Sequence, residues 1–164
     1  MTVAIHKLLP EFEAQTTGGA SFSNVSHIGQ LVVLFFYPKD HTPGCTCESE
    51  GFRDKHPEFQ KLGALVFGVS RDNLKSHEDF KAKLALPFEL IADTEEKMCH
   101  LFGVVKNKIM YGKKVKGIER STFLIDINGA LFREWRGVKV DGHVDEVLQA
   151  VKELKKATKT TPAA

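Results

Sequence analysis

The chain has 164 residues, 42% of them hydrophobic and 27% charged, with 23 basic against 21 acidic side chains. That length suits one domain burying roughly 70% of its unfolded surface. The near-neutral charge makes no case for nucleic acid or a membrane surface as partner, and no stretch approaches the roughly 18 apolar residues of a membrane span. Glu11 and Glu13 sit where a secretory signal would need an apolar run. Three cysteines are too few, and odd in number, for a secreted disulfide framework. The expectation is a cytoplasmic protein, monomeric or weakly dimeric, with residues 1–155 in a single domain and 156–164 as a disordered tail.

In chain order, Gly18-Gly19 between short alternating stretches around Phe12 and Phe22 predicts a small hairpin. Leu31–Tyr37 is a continuous apolar run, the pattern of a central strand buried on both faces. A helix is expected from Pro43 to about Lys55, broken by Pro57, with a short turn restarting at Phe59 and Leu62. Ala64–Ser70 is a second apolar strand, so strand, helix and strand form a βαβ unit with parallel strands. Leu74, His77, Phe80, Lys81 and Leu84 mark one face of an amphipathic helix closed by Pro87. Phe88–Ile91 reads as a short strand, and Asp93–Glu96 opens a short helix holding Met98, Leu101 and Phe102, with Gly103 at its end. Lys106–Gly117, rich in lysine, reads as a solvated loop rather than a nucleic-acid patch. Asn128-Gly129 between Ser121–Ile127 and Leu131–Trp135 predicts a hairpin. Val144, Val147, Leu148, Val151 and Leu154 give the last helix its apolar stripe. Mixed strands with helices between them make an α/β fold, a thioredoxin-like three-layer sandwich with a central mixed β-sheet flanked by helices.

The chemistry concentrates between the first apolar strand and the helix after it. Thr42 reads as the N-cap and Pro43 as the first helical residue, which puts Cys45 at the third helical position. A thiol there meets unpaired backbone N–H groups and the positive end of the helix dipole, and both favour the thiolate. An unperturbed thiol is only about 3% ionised at pH 7, so a nearby cation is wanted as well. Anything beyond ionisation must come from polarising the electrophile in the transition state.

Pro38-Lys-Asp-His-Thr42-Pro-Gly-Cys45 fits the pattern Pro-x-x-x-Thr-x-x-Cys of the peroxiredoxins. Met110-Tyr-Gly-Lys-Lys114 and Glu119-Arg120-Ser-Thr-Phe-Leu-Ile-Asp126 resemble the bacterioferritin comigratory protein (PrxQ) branch, and the resemblance runs from about Leu8 to Leu154. It implies a thioredoxin fold and a thiol-dependent peroxidase, without metal or organic cofactor, that reduces hydrogen peroxide and organic hydroperoxides to water and alcohols. Residue by residue it implies that Cys45 attacks the peroxide and becomes a sulfenic acid. Thr42 would hydrogen-bond the peroxide oxygen, Arg120 would stabilise both the thiolate and the breaking oxygen–oxygen bond, and Pro38 would shield the thiolate from water.

The chain departs from that pattern at the resolving cysteine. Many members carry it five residues after the peroxidatic one, where Glu50 stands here; others carry it on the next helix, which here has none. Three routes stay open: an external thiol reducing the sulfenic acid; Cys47, either within the chain after local unfolding or between two chains; or Cys99. Cys47 is only two residues from Cys45 and points away from it on an intact helix, while Cys99 reads as a small apolar core residue. The expected reductant is left open between thioredoxin, glutaredoxin with glutathione, and another small thiol. A thiol–disulfide oxidoreductase would want Cys-x-x-Cys, and a zinc site from His41, Cys45, Cys47 and Cys99 or His100 matches no ordinary zinc spacing. A redox-sensing or chaperone role without major peroxidase turnover is the remaining alternative.

Overall fold

The computed structural model describes residues 3–160. Its strands are β1 (Glu13–Thr16), β2 (Ala20–Ser23), β3 (Leu31–Phe36), β4 (Ala64–Ser70), β5 (Leu90–Ala92), β6 (Val105–Met110), β7 (Lys113–Ile118), β8 (Ser121–Ile125) and β9 (Leu131–Trp135). Its α-helices are α1 (Pro43–Lys61), α2 (Leu74–Leu84), α3 (Lys97–Leu101) and α4 (His143–Thr160). Seven strands form one sheet in the order β2-β1-β5-β4-β3-β8-β9, and β6 and β7 pair separately. β3, β4 and β5 run parallel, whereas β1, β8 and β9 join antiparallel to their neighbours, so the sheet is mixed.

All six side chains of β3 are buried, because a strand between two partners and between two packed faces has no wet side. Its alternation divides the core. Leu31, Val33 and Phe35 join Phe52 and Phe59 of α1, Phe80 of α2 and Val147 and Val151 of α4. Val32, Leu34 and Phe36 join Met98 and Cys99 of α3, Phe102 and Val104, with Val3, Leu9 and Phe12 packed alongside. Three helices therefore cover one face, and a short helix with the N-terminal segment covers the other. This is the helix-flanked mixed sheet expected from the sequence, and the hairpins at Gly18-Gly19 and Asn128-Gly129 form as expected.

Three local expectations are corrected. α1 passes through Pro57 instead of breaking there. An interior proline costs roughly 3 kcal/mol, but burying a phenylalanine contributes about 1.5–3 kcal/mol, and continuing the helix buries Phe59 completely. The lysine-rich segment is not a loop: Val105–Met110 and Lys113–Ile118 pair in register. Tyr111 and Gly112 both take positive φ, 54° and 77°, as a two-residue hairpin turn requires. Finally, α4 carries on past residue 155 to Thr160, so the expected tail begins inside a helix; 161–164 lie outside the described residues.

Candidate active site

After β3 the chain turns through 37–42 before α1 begins. Tyr37 extends the strand by donating its N–H to the carbonyl of Val69 at 3.0 Å. Thr42 occupies the N-cap position with extended backbone, and Pro43 opens the helix, as the sequence implied. The Thr42 hydroxyl does not cap, however. It turns back and donates to the Lys39 carbonyl, three residues earlier, at 2.8 Å. The first turn of α1 carries no acidic side chain either. The positive end of the helix is thus left without a charged or hydroxyl cap where Cys45 stands.

Arg120 reaches this thiol from the start of β8, 75 residues away in sequence. Its Nη2 donates to Cys45 Sγ at 3.4 Å and its Nη1 to Glu48 Oε1 at 2.8 Å. Gly44 makes room for it: a β-carbon there would stand 3.1 Å from Nη2. Glu48 lies one helical turn after Cys45, is wholly buried, and leaves its Oε2 without a protein partner. Burial pushes the Glu48 carboxyl up to about 7 against the pull of Arg120. On the far side His143, the first residue of α4, sits with Nε2 2.7 Å from Thr122 Oγ1. Burial, and then the charge of Arg120, push His143 down to about 4. It is uncharged at neutral pH, so Arg120 supplies the cation beside the thiol.

Cys45 is only 1% exposed, so whatever reacts there must be small or the turn must yield. Pro38 is half-buried at the start of that turn. Cys47 is exposed and lines a groove of about 300 Å³ with Gly51, Val140 and Val144. Cys99 is fully buried in the opposite core, across the sheet from Cys45. Burial, then the neighbouring Asp93 carboxylate, drive its thiol well above the ordinary range, so it behaves as an inert core residue. Glu50 pairs with Arg53 at 3.6 Å. His100 is exposed on α3 and faces Glu96, so the sheet divides the set His41, Cys45, Cys47, Cys99 and His100 as zinc ligands. Among the described residues, the histidine and two carboxylates that come within metal-binding reach of one another are Asp40 of the turn, Asp72 after β4 and His77 of α2.

The sequence pattern of the AhpC/TSA family matches residues 5–133. The chain belongs to that family. It is 51% identical to peroxiredoxin Bcp of Xanthomonas campestris pv. campestris over 136 residues, 83% of this chain and 85% of the relative. With peroxiredoxin Bcp of Bacillus subtilis it shares 47% identity over 154 residues, 94% of this chain and 98% of that one. A solved structure of Xanthomonas campestris peroxiredoxin Q superimposes with a TM-score of 0.85 at 48% identity, covering 88% of this chain and 91% of the other. A second, of the Xanthomonas campestris bacterioferritin comigratory protein, described for its alkyl peroxide reduction activity, gives 0.85 at 47% identity over 88% and 92%. The chain is thus a thioredoxin-fold peroxiredoxin of the Bcp/PrxQ branch, a thiol-dependent peroxidase. Among the described residues no helix is long and apolar enough to cross a membrane.

Sequence reasoning brought Cys45 and Arg120 together correctly and missed Glu48, Thr122 and His143. A glutamate three residues after the cysteine lies on the same helical face, which was the available signal for Glu48. His143 precedes the apolar stripe of α4 and carried none.

Proposed function

We propose that Cys45 is the peroxidatic cysteine of a peroxidase acting on hydrogen peroxide and organic hydroperoxides in the cytoplasm. The observation that carries the reading is the Arg120 guanidinium at 3.4 Å from a thiol on an uncapped helix N-terminus. The Cys45 thiolate attacks the nearer peroxide oxygen; the sulfur–oxygen bond forms as the oxygen–oxygen bond breaks. Sulfur is oxidised to a sulfenic acid, the peroxide is reduced, and the departing oxygen leaves as water or an alcohol after taking up a proton. Arg120 stabilises the charge as it moves from sulfur to the leaving oxygen, and Glu48 holds Arg120 in place. The Thr42 hydroxyl proton is committed to Lys39, which leaves its oxygen to accept from the peroxide O–H. Pro38 shields the thiolate from water.

An external thiol then attacks the sulfenic sulfur, expelling water and leaving a mixed disulfide that a second thiol reduces. Thioredoxin, or glutaredoxin with glutathione, fits that role. Neither Cys47 nor Cys99 is assigned as a resolving partner, and one domain acting as a monomer or weak dimer suffices. Cys45→Ser should abolish hydroperoxide consumption in a coupled thiol-oxidation assay; a variant keeping most of the wild-type rate would remove Cys45 from the reaction.

A further inference from the structure

The turn that presents Pro38, Thr42 and Cys45 is fastened from below by a buried polar cluster. Asp40 is 2% exposed and His77 of α2 is fully buried. Asp40 Oδ2 receives His77 Nδ1 at 2.7 Å and the Ser76 hydroxyl at 2.8 Å, and Oδ1 receives the Tyr37 hydroxyl at 2.7 Å. The other ring nitrogen of His77, Nε2, lies 2.8 Å from the Ile91 carbonyl of β5. The Asp40 N–H in turn donates to Asp72 Oδ2 at 2.9 Å, which also receives the Ser70 hydroxyl at 2.5 Å.

The proton count follows from the acceptors. A carbonyl oxygen can only accept, so His77 Nε2 carries a hydrogen. The Asp40 carboxyl already receives two hydroxyls, and it stays ionised: burial pushes it up, but the hydrogen bond and charge of His77, with Tyr37 and Ser76, outweigh burial and hold it below its usual range. Nδ1 faces that carboxylate as Nε2 faces the Ile91 carbonyl, so both ring nitrogens of His77 are engaged within the core. Such pairs contribute little net stability compared with apolar packing, and breaking one leaves an uncompensated charge. What this one does is geometric. It ties the turn to α2 and β5 on one residue, immediately before His41, which is held at a φ of 64°. Left-handed backbone at a non-glycine residue persists only where its surroundings over-determine it; here His41 also packs its ring edge-on to Phe80 of α2 at 5.2 Å.

We propose that Asp40 and His77 are positioning residues for the peroxidase: a buried, hydrogen-bonded Asp–His pair that locks the Pro38–Thr42 turn onto α2 and so holds Thr42 and Cys45 closed in reacting geometry. The inference rests on the roles proposed above for Cys45 and Thr42, and its test separates the two. Asp40→Asn keeps the shape but removes the charge. The turn should loosen: amide hydrogen exchange at 38–46 rises at least ten-fold, while amides of β8 and α4 keep their protection. Alkylation of Cys45 by iodoacetamide should then speed up several-fold as the 1% exposed thiol opens, while kcat/KM for hydrogen peroxide falls at least ten-fold. Opposite signs in those two rates mark lost positioning; general destabilisation would raise exchange throughout. Were Cys45 not peroxidatic, Cys45→Ser would keep the wild-type rate of peroxide consumption, and exchange and alkylation would still report on the lock. If Asp40→Asn does not fold, Ser76→Ala removes one donor and should give the same pattern at a few-fold. Unchanged exchange at 38–46 in the folded variant overturns the proposal.

Discussion

Arg120 divides one guanidinium between a thiol and a buried carboxylate, and the division gives Glu48 a measurable signature. Glu48 moves from its ordinary 4.5 to about 7 in the folded chain because burial outweighs the attraction of Arg120. Below pH 4.5 it is protonated folded and unfolded alike. Between 4.5 and 7 only the unfolded chain ionises freely, so stability present at low pH is lost as pH rises, about 3 kcal/mol in all. Glu48→Gln has no such loss. From pH 4.5 to 8 its unfolding free energy in urea should gain on wild type by about that amount; parallel curves would show that Glu48 is ionised throughout. His143 works in the opposite direction. Its folded value is lowered from 6.5 to about 4, so its stability is present above pH 6.5 and is lost as pH falls through 4. Cys45 and Arg120 were legible because a motif carries each. Glu48 was not, since a glutamate in an acidic helical segment reads as surface. Its burial depends on a strand arriving from 72 residues away.

At the scale of elements, periodicity was read well wherever one face is buried, and poorly where tertiary packing overrides a local rule. Pro57 within α1 is one such case, and the β6–β7 hairpin is another. Its lysines hid the alternation, although Tyr111-Gly112 was a turn signal. Gly68 in β4 shows a constraint with no sequence signal at all. A β-carbon there would lie 2.7 Å from Leu90 Cδ2, 2.8 Å from Phe35 Cζ and 3.1 Å from Tyr37 Cε1. The glycine lets β3, β5 and Tyr37 close over the middle of the sheet. Gly68→Ala would gain strand propensity on an exposed surface, but here three anchored side chains must shift. It should lower the unfolding free energy by about 1–3 kcal/mol, the range for overpacking. A denaturant midpoint at or above wild type would show that the sheet has slack there. Because Tyr37 also holds Asp40 at 2.7 Å, the same variant should lose peroxidase activity in excess of its lost stability.

For the whole molecule, the sheet itself decides which cysteines can meet. Cys45 and Cys99 belong to the two different cores, each made by alternate residues of β3. A disulfide needs Cα atoms within about 7 Å, and two cores on opposite faces of a sheet cannot supply that without dismantling β3, the strand on which both depend. Cys47 is near in sequence, but it projects to solvent while Cys45 points inward. Bonding them would require α1 to unwind from its first turn and release Arg120 from the thiol. The sequence left this choice open because faces of a sheet are not ordered by residue number. The separation of Cys45 from Cys99 and the outward direction of Cys47 support the external thiol proposed above. Intact mass after one equivalent of hydrogen peroxide should therefore rise by one oxygen, with the added atom mapped to Cys45 by a sulfenic-acid probe. Loss of two hydrogens instead, with a linked peptide containing Cys47 or Cys99, would show that the chain resolves its own sulfenic acid. A Cys45–Cys47 link would further require the first turn of α1 to open once per cycle, and a Cys45–Cys99 link would require the sheet to do so.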